Sequence, residues 1–444
     1  MTLAAHDYMR FQSAIGTHVL LVDGSRIYDL DAQSLAGFDE RELGEALATM
    51  LPSDAERFVD DTPLAPTAIR ALSLNVMQAC NLACIYCYAD KGRFGGKAQS
   101  MDESVALEAV QLLLEQTGRG NRAVLGFMGG EPLLNRALVH AIVPKAAALA
   151  AAHGVALQFS ITTNATLVTE ADAQLFHDHR FTVAVSLDGD AASNDLTRPT
   201  ANGRGSYARA CAGLDQLTRN RPGHLSIRAT VTPGAKDLAQ TLEHLIGLGA
   251  DEVGFSPVLS APSGKGEFAP ADFSPFLEQM IACGERAKAA LLARRRYPFG
   301  NFETALHEIA RGTHRPYPCG AGASYASVSA TGELYACHRA IDDPRFAIGS
   351  LASGLDMSAR TEFLAMRHLS QQVPCTTCWA RQLCGGGCHQ EVARRGRIHC
   401  DYVRGWLAWC LAAYAEVSEH AGGYFIDAQA WFGDAPSEEP VHVH

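Results

Sequence analysis

The stretch from Ala79 to Asp90, Ala-Cys-Asn-Leu-Ala-Cys-Ile-Tyr-Cys-Tyr-Ala-Asp, carries three thiols in a C-x3-C-x2-C spacing, at Cys80, Cys84 and Cys87. The run before it, residues 71–77, predicts a short buried strand, so the thiols lie on the loop that leaves the end of that strand. A tight loop can bring three thiolates to three corners of a 4Fe-4S cluster, which needs four ligands. No nearby cysteine supplies the fourth ligand, so one iron is left open to a group from outside the protein.

Two other uses of close cysteines fit this loop less well. A structural zinc site needs four ligands, usually paired as C-x2-C. A disulfide framework uses an even number of cysteines in an exported protein, whereas this chain begins Met-Thr-Leu-Ala-Ala-His-Asp, without the basic and apolar regions of an export signal. The triplet therefore favours an iron-sulfur cluster over zinc.

A regular alternation of strand and helix patterns follows the prolines of a linker, Pro63 and Pro66. Apolar-periodic stretches such as Ser104–Gln116 and Arg136–Ala152 predict helices. Six strands are predicted between such stretches, at 71–78, 122–128, 156–163, 181–187, 224–231 and 251–258. This order is typical of an α/β protein with a parallel sheet covered by helices, and six units predict a partial (β/α)6 TIM-like barrel. In such barrels the chemistry lies at the C-terminal ends of the strands, where the polar residues of this chain collect.

The second predicted strand is followed by Gly129-Gly130-Glu131-Pro132. Adjacent glycines allow the backbone to approach a ligand closely, and the carboxylate of Glu131 can accept hydrogen bonds from an ammonium group. This motif comes one β-α unit after the cysteine triplet. In that order the two motifs resemble those of the radical S-adenosylmethionine (SAM) enzymes, where the amino and carboxylate groups of SAM chelate the open iron.

The resemblance also implies which residues contact SAM. Thr162-Thr163-Asn164-Ala165-Thr166 is similar to a TNG-type segment of the family, with Ala165 in place of glycine, and Ser186-Leu187-Asp188-Gly189 ends the fourth strand. For Asp188 two roles stay open, a turn-stabilising carboxylate and a role near the substrate. The implied ligands of the catalytic cluster are Cys80, Cys84 and Cys87, and the implied SAM-binding residues are Tyr86, Gly129, Gly130, Glu131, Thr163, Asn164, Ser186, Arg198 and Leu259.

Seven of the eight cysteines that follow residue 300 form a second patterned set, at Cys319, Cys337, Cys375, Cys378, Cys384, Cys388 and Cys400. A zinc ribbon would use only four of them. Their spacing resembles the SPASM domain, which carries auxiliary iron-sulfur clusters in peptide- and protein-modifying radical SAM enzymes. The resemblance implies an outer cluster on Cys375, Cys378, Cys384 and Cys400 and an inner cluster on Cys319, Cys337 and Cys388. Tyr325 stands where the family often has another ligand, so we expect only three protein ligands on the inner cluster. The implied cofactors are SAM and three iron-sulfur clusters, with the auxiliary pair of the 4Fe-4S type.

The ends of the chain predict smaller units. Residues 17–31 predict a β-hairpin around Gly24-Ser25, and residues 39–51 predict a helix. This α+β module is either a decoration or a short version of the module that captures a leader peptide at a sheet edge. We expect four segments, namely the module 1–65, the barrel 66–300, the SPASM domain 301–420 with a closing helix at 402–418, and a tail 421–444. His442 and His444 in that tail are more simply a frayed terminus than a metal site.

Composition excludes several classes of partner. Hydrophobic residues make up 47% of the chain and charged residues 19%, as in globular proteins, and the formal net charge of −11 argues against nucleic acid and anionic membranes as partners. No uninterrupted apolar run reaches the roughly 18 residues that span a bilayer. Thirteen cysteines without an export signal predict metal ligation in a reducing compartment, which is the cytoplasm.

The resemblance implies reductive cleavage of SAM to methionine and a 5′-deoxyadenosyl radical that takes a hydrogen from the substrate. The expected partners are a short ribosomally made precursor peptide with a leader, and an electron donor such as flavodoxin or ferredoxin. Three functions compete, namely a maturase that forms a thioether crosslink, another peptide or protein oxidation (a carbon-carbon crosslink or sulfatase activation), and a non-catalytic zinc protein. Sulfatase-activating members of the family carry Asp directly after the cysteine that matches Cys337, where this chain has His338. The sequence therefore favours the thioether-forming maturase.

Overall fold

The structure is a computed structural model that describes residues 4, 6–30, 38–50 and 58–432. Its N-terminal part is an antiparallel sheet in the order β1-β2-β3 with one helix, and the elements are β1 (Tyr8–Ser13), β2 (Gly16–Leu21), β3 (Arg26–Leu30) and α1 (Glu40–Met50). A small core of its own joins sheet and helix through Val19, Leu21, Leu43 and Leu47. The predicted hairpin and helix are confirmed. The sequence did not predict β1, because its buried apolar residues do not alternate along the strand.

Six parallel strands follow, each hydrogen-bonded to the next in chain order. They are β4 (Ala71–Met77), β5 (Arg122–Gly129), β6 (Ala156–Thr163), β7 (Thr182–Ser186), β8 (His224–Val231) and β9 (Glu252–Pro257). The helices that accompany them are α2 (Glu103–Thr117), α3 (Arg136–His153), α4 (Glu170–Asp178), α5 (Ala191–Thr197), α6 (Tyr207–Arg219), α7 (Leu238–Ile246), α8 (Phe273–Leu292) and α9 (Gly300–Ala310). The predicted partial barrel is confirmed.

The barrel sheet continues into the cysteine-rich part of the chain. β10 (Tyr325–Val328) pairs in parallel with β4, and β11 (Glu333–Tyr335), β12 (Ala347–Ser350) and β13 (Gly354–Leu355) extend it in antiparallel fashion. Strands β4 to β13 thus form a ten-stranded sheet in the order β13-β12-β11-β10-β4-β5-β6-β7-β8-β9. The sequence predicts a domain boundary at residue 300, but main-chain hydrogen bonds join β4, before that boundary, to β10, after it.

The C-terminal helices are α10 (Met357–Arg367), α11 (Arg381–Cys384), α12 (His389–Arg395), α13 (Cys400–Ala421) and α14 (Ala428–Phe432). Helix α13 contains the predicted closing helix and packs against α8 and α9. A Cβ atom on Gly284 of α8 would stand 2.3 Å from the ring of Trp409, so glycine is what lets these two helices approach. His442 and His444 lie outside the described residues.

One segment in the described part of the chain, residues 132–153, is long and apolar enough by length and composition to cross a membrane. It contains α3, which carries Arg136 and Lys145 and buries Val139, Ile142 and Val143 in the main core. This burial is that of a core helix in a globular barrel.

The two faces of the parallel sheet carry different side chains. On the face turned away from the helices, the strand register aligns Ser327, Ser73, Gly126 and Ser160 across β10, β4, β5 and β6. A Cβ atom on Gly126 would lie 3.1 Å from the hydroxyl oxygens of both Ser73 and Ser160. The inner face is therefore lined by small, mostly polar groups beneath the loop that carries the cysteine triplet.

Candidate functional site

The loop with Cys80, Cys84 and Cys87 leaves the C-terminal end of β4. On one side it is hydrogen-bonded to the end of α5 and to the residues just after that helix. The backbone N–H of Ala83 donates to the carbonyl of Pro199 at 2.7 Å, and that of Ile85 donates to the carbonyl of Thr197 at 3.0 Å. The loop therefore has a defined position at the mouth of the barrel.

The glycines of the GGEP motif hold the other side of that loop. The N–H of Gly130 donates to the carbonyl of Met77, and the N–H of Glu131 donates to the carbonyl of Ala79 at 2.9 Å. A Cβ atom on Gly130 would stand 2.3 Å from the oxygen of Ala79, and one on Gly129 would stand 2.4 Å from the oxygen of Met77. In this structure both glycines let two stretches of backbone touch.

Glu131 is fully buried and connects the motif to the end of β6. Its carboxylate accepts hydrogen bonds from the Thr163 hydroxyl at 2.8 Å, from the Asn164 N–H at 2.8 Å and from the Leu133 N–H at 3.1 Å. Burial raises the pKa of Glu131, and these hydrogen bonds oppose that rise. Glu131, Thr163 and Asn164, three residues of the predicted SAM-binding set, therefore form one hydrogen-bonded group.

Asn164 links this hydrogen-bonded group to the cysteine loop. Its side-chain amide donates to the Asn81 side chain at 3.0 Å and lies 3.8 Å from the sulfur of Cys80. Asn81 in turn donates to the Thr166 hydroxyl at 2.7 Å. The sequence analysis did not single out Asn81, although its place between the first two cysteines is a signal that could have found it.

Ala165 occupies the position that is glycine in the related segment. Its φ angle is +57°, a left-handed conformation that glycine adopts without steric cost. The carbonyl of Ala165 faces Gly213 of α6, where a Cβ atom would stand 1.9 Å away. Ala165 thus holds, in this chain, a backbone conformation that glycine would adopt without steric cost.

Tyr86 and Arg198 meet at the carboxylate of Asp188. The Tyr86 hydroxyl donates to Asp188 Oδ2 at 2.5 Å, and Arg198 Nη1 donates to the Tyr86 oxygen at 2.6 Å. Tyr86, Asp188 and Arg198 are each less than a tenth exposed. Two of these three residues belong to the predicted SAM-binding set, and Asp188 is the group that brings them together.

The other two predicted contacts lie at the ends of later strands. Ser186 is the last residue of β7 and is half-buried on the inner face. Leu259 follows β9, and its carbonyl accepts a hydrogen bond from Arg395 Nη1 at 2.7 Å. Apart from Arg198, which directly follows α5, every predicted SAM-binding residue lies in the cysteine loop or just at or beyond the C-terminal end of a parallel strand.

The inner cysteines Cys319, Cys337 and Cys388 are electrostatic neighbours of one another. Tyr325 stands beside Cys337, and its hydroxyl donates to Ser73 Oγ at 2.9 Å and lies 2.8 Å from His338 Nδ1. Burial and the neighbouring Arg339 lower the pKa of His338 to about 4, so its imidazole is neutral at pH 7.

Tyr88 and Arg339 connect this inner set to the catalytic triplet. Tyr88 comes directly after Cys87, and the Arg339 guanidinium lies 4.7 Å from the centre of its ring. Arg339 also pairs with Glu391 at 2.8 Å. Tyr88 is thus an electrostatic neighbour of Cys87 in the triplet and of Cys337 in the inner set, a link that the sequence analysis missed.

The outer cysteines Cys375, Cys378, Cys384 and Cys400 line one cavity, together with Gly386, Gly387, Arg397 and Arg404. Arg397 Nε donates to the sulfur of Cys375 at 3.2 Å. The structure therefore brings together the four thiols that the resemblance assigns to one cluster.

The donor sets have the chemistry of iron-sulfur sites. Burial raises the pKa of Cys80 and of Cys337 to about 12, so these thiols ionise at neutral pH only beside a compensating cation such as cluster iron. The buried atoms His389 Nε2, Gln390 Nε2 and His399 Nδ1, each within two residues of Cys388 or Cys400, have no hydrogen-bond partner among the described residues. In the described residues no three His, Cys, Asp or Glu side chains are gathered as a single metal ion would need, and a cluster holds its ligands farther apart. The residues present fit the implied clusters.

Comparison with known proteins gives one family. Residues 74–245 match the Radical SAM superfamily. The serine-type anaerobic sulfatase-maturating enzyme of Klebsiella aerogenes is 27% identical over 386 residues, which cover 84% of this chain and 93% of that enzyme. The mycofactocin maturase MftC of Mycobacterium ulcerans is 27% identical over 362 residues, 77% of this chain and 88% of that protein.

Solved structures share the fold. A His6-tagged anSMEcpe with bound AdoMet superposes with a TM-score of 0.67 at 20% identity, over 82% of this chain and 99% of that one. Streptococcus suis SuiB bound to the precursor peptide SuiA superposes with a TM-score of 0.53 at 12% identity, over 90% of this chain and 98% of that one.

Proposed function

The chain is a radical SAM enzyme, and from that premise we propose that it crosslinks a ribosomally made precursor peptide in the cytoplasm, forming a thioether. The observation that carries the proposal is the juxtaposition of the catalytic triplet and the inner cysteines across Tyr88 and Arg339. A substrate residue at the barrel mouth would lie between the site of hydrogen abstraction and a second redox group.

Each part of the site has a distinct task in this proposal. Cys80, Cys84 and Cys87 hold the cluster that, with SAM bound, supplies a 5′-deoxyadenosyl radical. The SAM-binding residues of the predicted set orient SAM at the strand ends, and the barrel wall shields the reacting atoms from water. The inner and outer cysteines hold the two auxiliary clusters, and flavodoxin or ferredoxin is the proposed electron donor.

The thioether is favoured by the inner set. The inner set offers three thiols. Tyr325 of β10 lies beside Cys337, and its hydroxyl is hydrogen-bonded to Ser73 and His338. Among the described residues no fourth cysteine joins Cys319, Cys337 and Cys388. A substrate cysteine can approach this set because its ligation by the chain is incomplete.

A sulfatase-type oxidation is the second candidate. It is favoured by the relative from Klebsiella aerogenes, which this chain matches over 93% of its length. Against it stands His338, which is neutral and bonded to Tyr325 at the position after Cys337. A histidine held in that way differs in charge from an aspartate at neutral pH.

The N-terminal module is proposed to hold the leader of the peptide. Its strand β3 is an edge of the three-stranded sheet, so its outer backbone groups can pair with an added strand. Tyr28 on β3 is 44% exposed and Asp29 is exposed as well, and among the described residues β3 pairs with no strand besides β2.

The test uses the anaerobically purified enzyme, SAM, a reductant and, as candidate substrates, synthetic short cysteine-containing peptides read from the open reading frames that neighbour its gene. We expect 5′-deoxyadenosine and a peptide lighter by two hydrogen atoms, in which a cysteine no longer reacts with iodoacetamide. A carbon-carbon crosslink would leave that thiol reactive, and a sulfatase-type product would react with hydrazides as an aldehyde. Either result would replace the thioether.

Single Cys→Ala variants at Cys80, Cys84 and Cys87 should form no 5′-deoxyadenosine, because each thiolate is a ligand of the SAM-binding cluster. Cys211→Ala is the matched control, since Cys211 is a half-buried thiol of α6 outside the three sets. Wild-type SAM cleavage in any of the three triplet variants would contradict the assignment.

A further inference from the structure

Separate parts of the chain converge on the carboxylate of Asp188, two residues after β7. The Tyr86 hydroxyl and the Thr197 hydroxyl both donate to Oδ2, at 2.5 and 2.7 Å. The backbone N–H of Thr230, on β8, donates to Oδ1 at 3.0 Å. The Asp188 side chain is only 2% exposed, so the chain itself supplies its hydrogen bonds.

Arg198 completes the group with a positive charge. Its Nη1 lies 3.8 Å from Asp188 Oδ1 and donates to the Tyr86 oxygen at 2.6 Å, and its side chain is 9% exposed. A buried guanidinium without a nearby carboxylate is unfavourable, so Asp188 determines where Arg198 can rest. Because the Tyr86 oxygen accepts from Arg198, its proton is directed to Asp188.

The group also links the cysteine loop to the chain segment that carries Arg198. Tyr86 lies between Cys84 and Cys87, and its neighbour Ile85 bonds through its N–H to the carbonyl of Thr197. A displaced Asp188 would therefore disturb the loop and the guanidinium together.

We propose that Asp188 is a positioning residue for SAM, which holds the Tyr86 hydroxyl and the Arg198 guanidinium in one preformed arrangement beside the cysteine loop. It acts through these two residues and does not touch SAM itself. The inference rests on the proposed function only in that the chain uses SAM. A preformed site binds its ligand more tightly because less ordering is needed on binding.

Asp190 shows what a purely structural aspartate does in the same turn. Its carboxylate accepts from the Ser193 N–H at 2.9 Å at the start of α5, and its side chain is exposed. Asp188 differs from it in burial, in the number of its donors and in its contact with an arginine. The pair therefore offers a test variant and a matched control two residues apart.

Asp188→Asn keeps the shape of the side chain but removes its charge and one acceptor, since an amide nitrogen cannot accept from Tyr86. We expect the Kd for SAM to rise roughly 10- to 100-fold at wild-type iron content. In the peptide-free reaction the KM for SAM should rise by far more than kcat falls. The change that SAM causes in the EPR spectrum of the reduced cluster should require correspondingly more SAM. Asp190→Asn should match the wild type in all four measurements.

Tyr86→Phe provides a second and independent variant. It removes only the hydroxyl that joins Asp188 to Arg198, so we expect weaker SAM binding at full iron content. Combined with Asp188→Asn it should add little, because both changes break the same link. Effects that simply multiply would show that the two residues act separately.

Wild-type SAM affinity in an iron-replete Asp188→Asn enzyme overturns the proposal. If Asp188→Asn fails to take up iron, the SAM affinity of Tyr86→Phe is measured instead. Wild-type SAM affinity in that variant also overturns the proposal. All these measurements omit the peptide. A wild-type enzyme that binds and cleaves SAM but leaves the peptide unchanged would reject the proposed peptide crosslinking and leave the role of Asp188 standing.

Discussion

Glu131 is fully buried, and its carboxylate accepts from Thr163, from the Asn164 N–H and from the Leu133 N–H. Removing it leaves these donors without an acceptor inside the protein. Glu131→Ala should therefore cost roughly 2–4 kcal/mol of stability, seen as a lower Tm. If the carboxylate also pairs with the SAM ammonium, SAM affinity falls by roughly 10- to 150-fold.

Glu170→Ala is the control for that change, because Glu170 is an exposed acid at the start of α4. It should leave both the Tm and the Kd for SAM close to wild type. A Glu131→Ala enzyme with full iron content and an unchanged Kd for SAM would restrict the residue to its structural role.

The sequence predicts a role for a single residue where that residue belongs to a recognisable chemical motif. The sequence proposes roles for the cysteines, the GGEP motif and Asn164 because their residue types and order are unusual. Asp188 and Tyr325 could not be ranked in the same way, since their roles depend on partners about 100 or more positions away, such as Tyr86 and Ser73. No local pattern carries that information.

At the scale of elements, the contact between the GGEP motif and the cysteine loop depends on missing side chains. Gly92 of the loop and Gly130 approach so closely that a Cβ atom on Gly92 would stand 2.5 Å from the Gly130 Cα. A Cβ atom on Gly130 would itself stand 2.3 Å from the Ala79 oxygen and 2.8 Å from the Gly92 Cα, and both are backbone atoms. Gly130→Ala should therefore force the motif and the loop apart. We expect loss of iron and of SAM cleavage, measured by iron assay and 5′-deoxyadenosine formation.

Gly422→Ala is the matched control for Gly130→Ala. Gly422 ends α13 with a φ angle of −53°, and a Cβ atom there meets nothing within 4 Å. It should retain full iron content and activity. A Gly130→Ala enzyme that keeps its iron would mean that the loop can shift without losing its cluster ligands.

The elements themselves differed in how far the sequence predicts them. The six parallel strands were found because each has an apolar residue at least at every other position over five to eight residues and is flanked by a helix pattern. Strands β11 to β13 have only two to four residues each, too few for a period to show. The pairing of β10 with β4 joins residues from two predicted domains, and hydrophobic pattern alone does not reveal such a partner.

At the scale of the whole molecule, Glu303 of α9 predicts how stability depends on pH. Burial, with a contribution from Glu252, raises the pKa of Glu303 from 4.5 to about 7. The folded protein thus binds this proton more tightly than the unfolded chain, so stability is lost as pH rises from about 4.5 to about 7. The loss is complete above pH 7 and amounts to at most about 3 kcal/mol.

Glu303→Gln removes this titration and should raise the Tm at about pH 8, with a much smaller gain at about pH 5.5. Thermal unfolding across that range measures the difference, and Glu362→Gln, an exposed acid of α10, serves as the control. A gain in Tm that is equal at all pH values would show that Glu303 does not titrate in this range.

The pairing of β10 with β4 also has a consequence for the order in which the protein is made. Tyr325 follows its hydrogen-bond partner Ser73 by 252 positions. At roughly 5–20 residues per second a ribosome needs about 13–50 s to cover that distance. During this interval β4 has one edge without its partner strand, while the cysteine loop at its end has already been synthesised. The barrel that carries the cysteine loop is therefore completed on that side by a segment that leaves the ribosome much later.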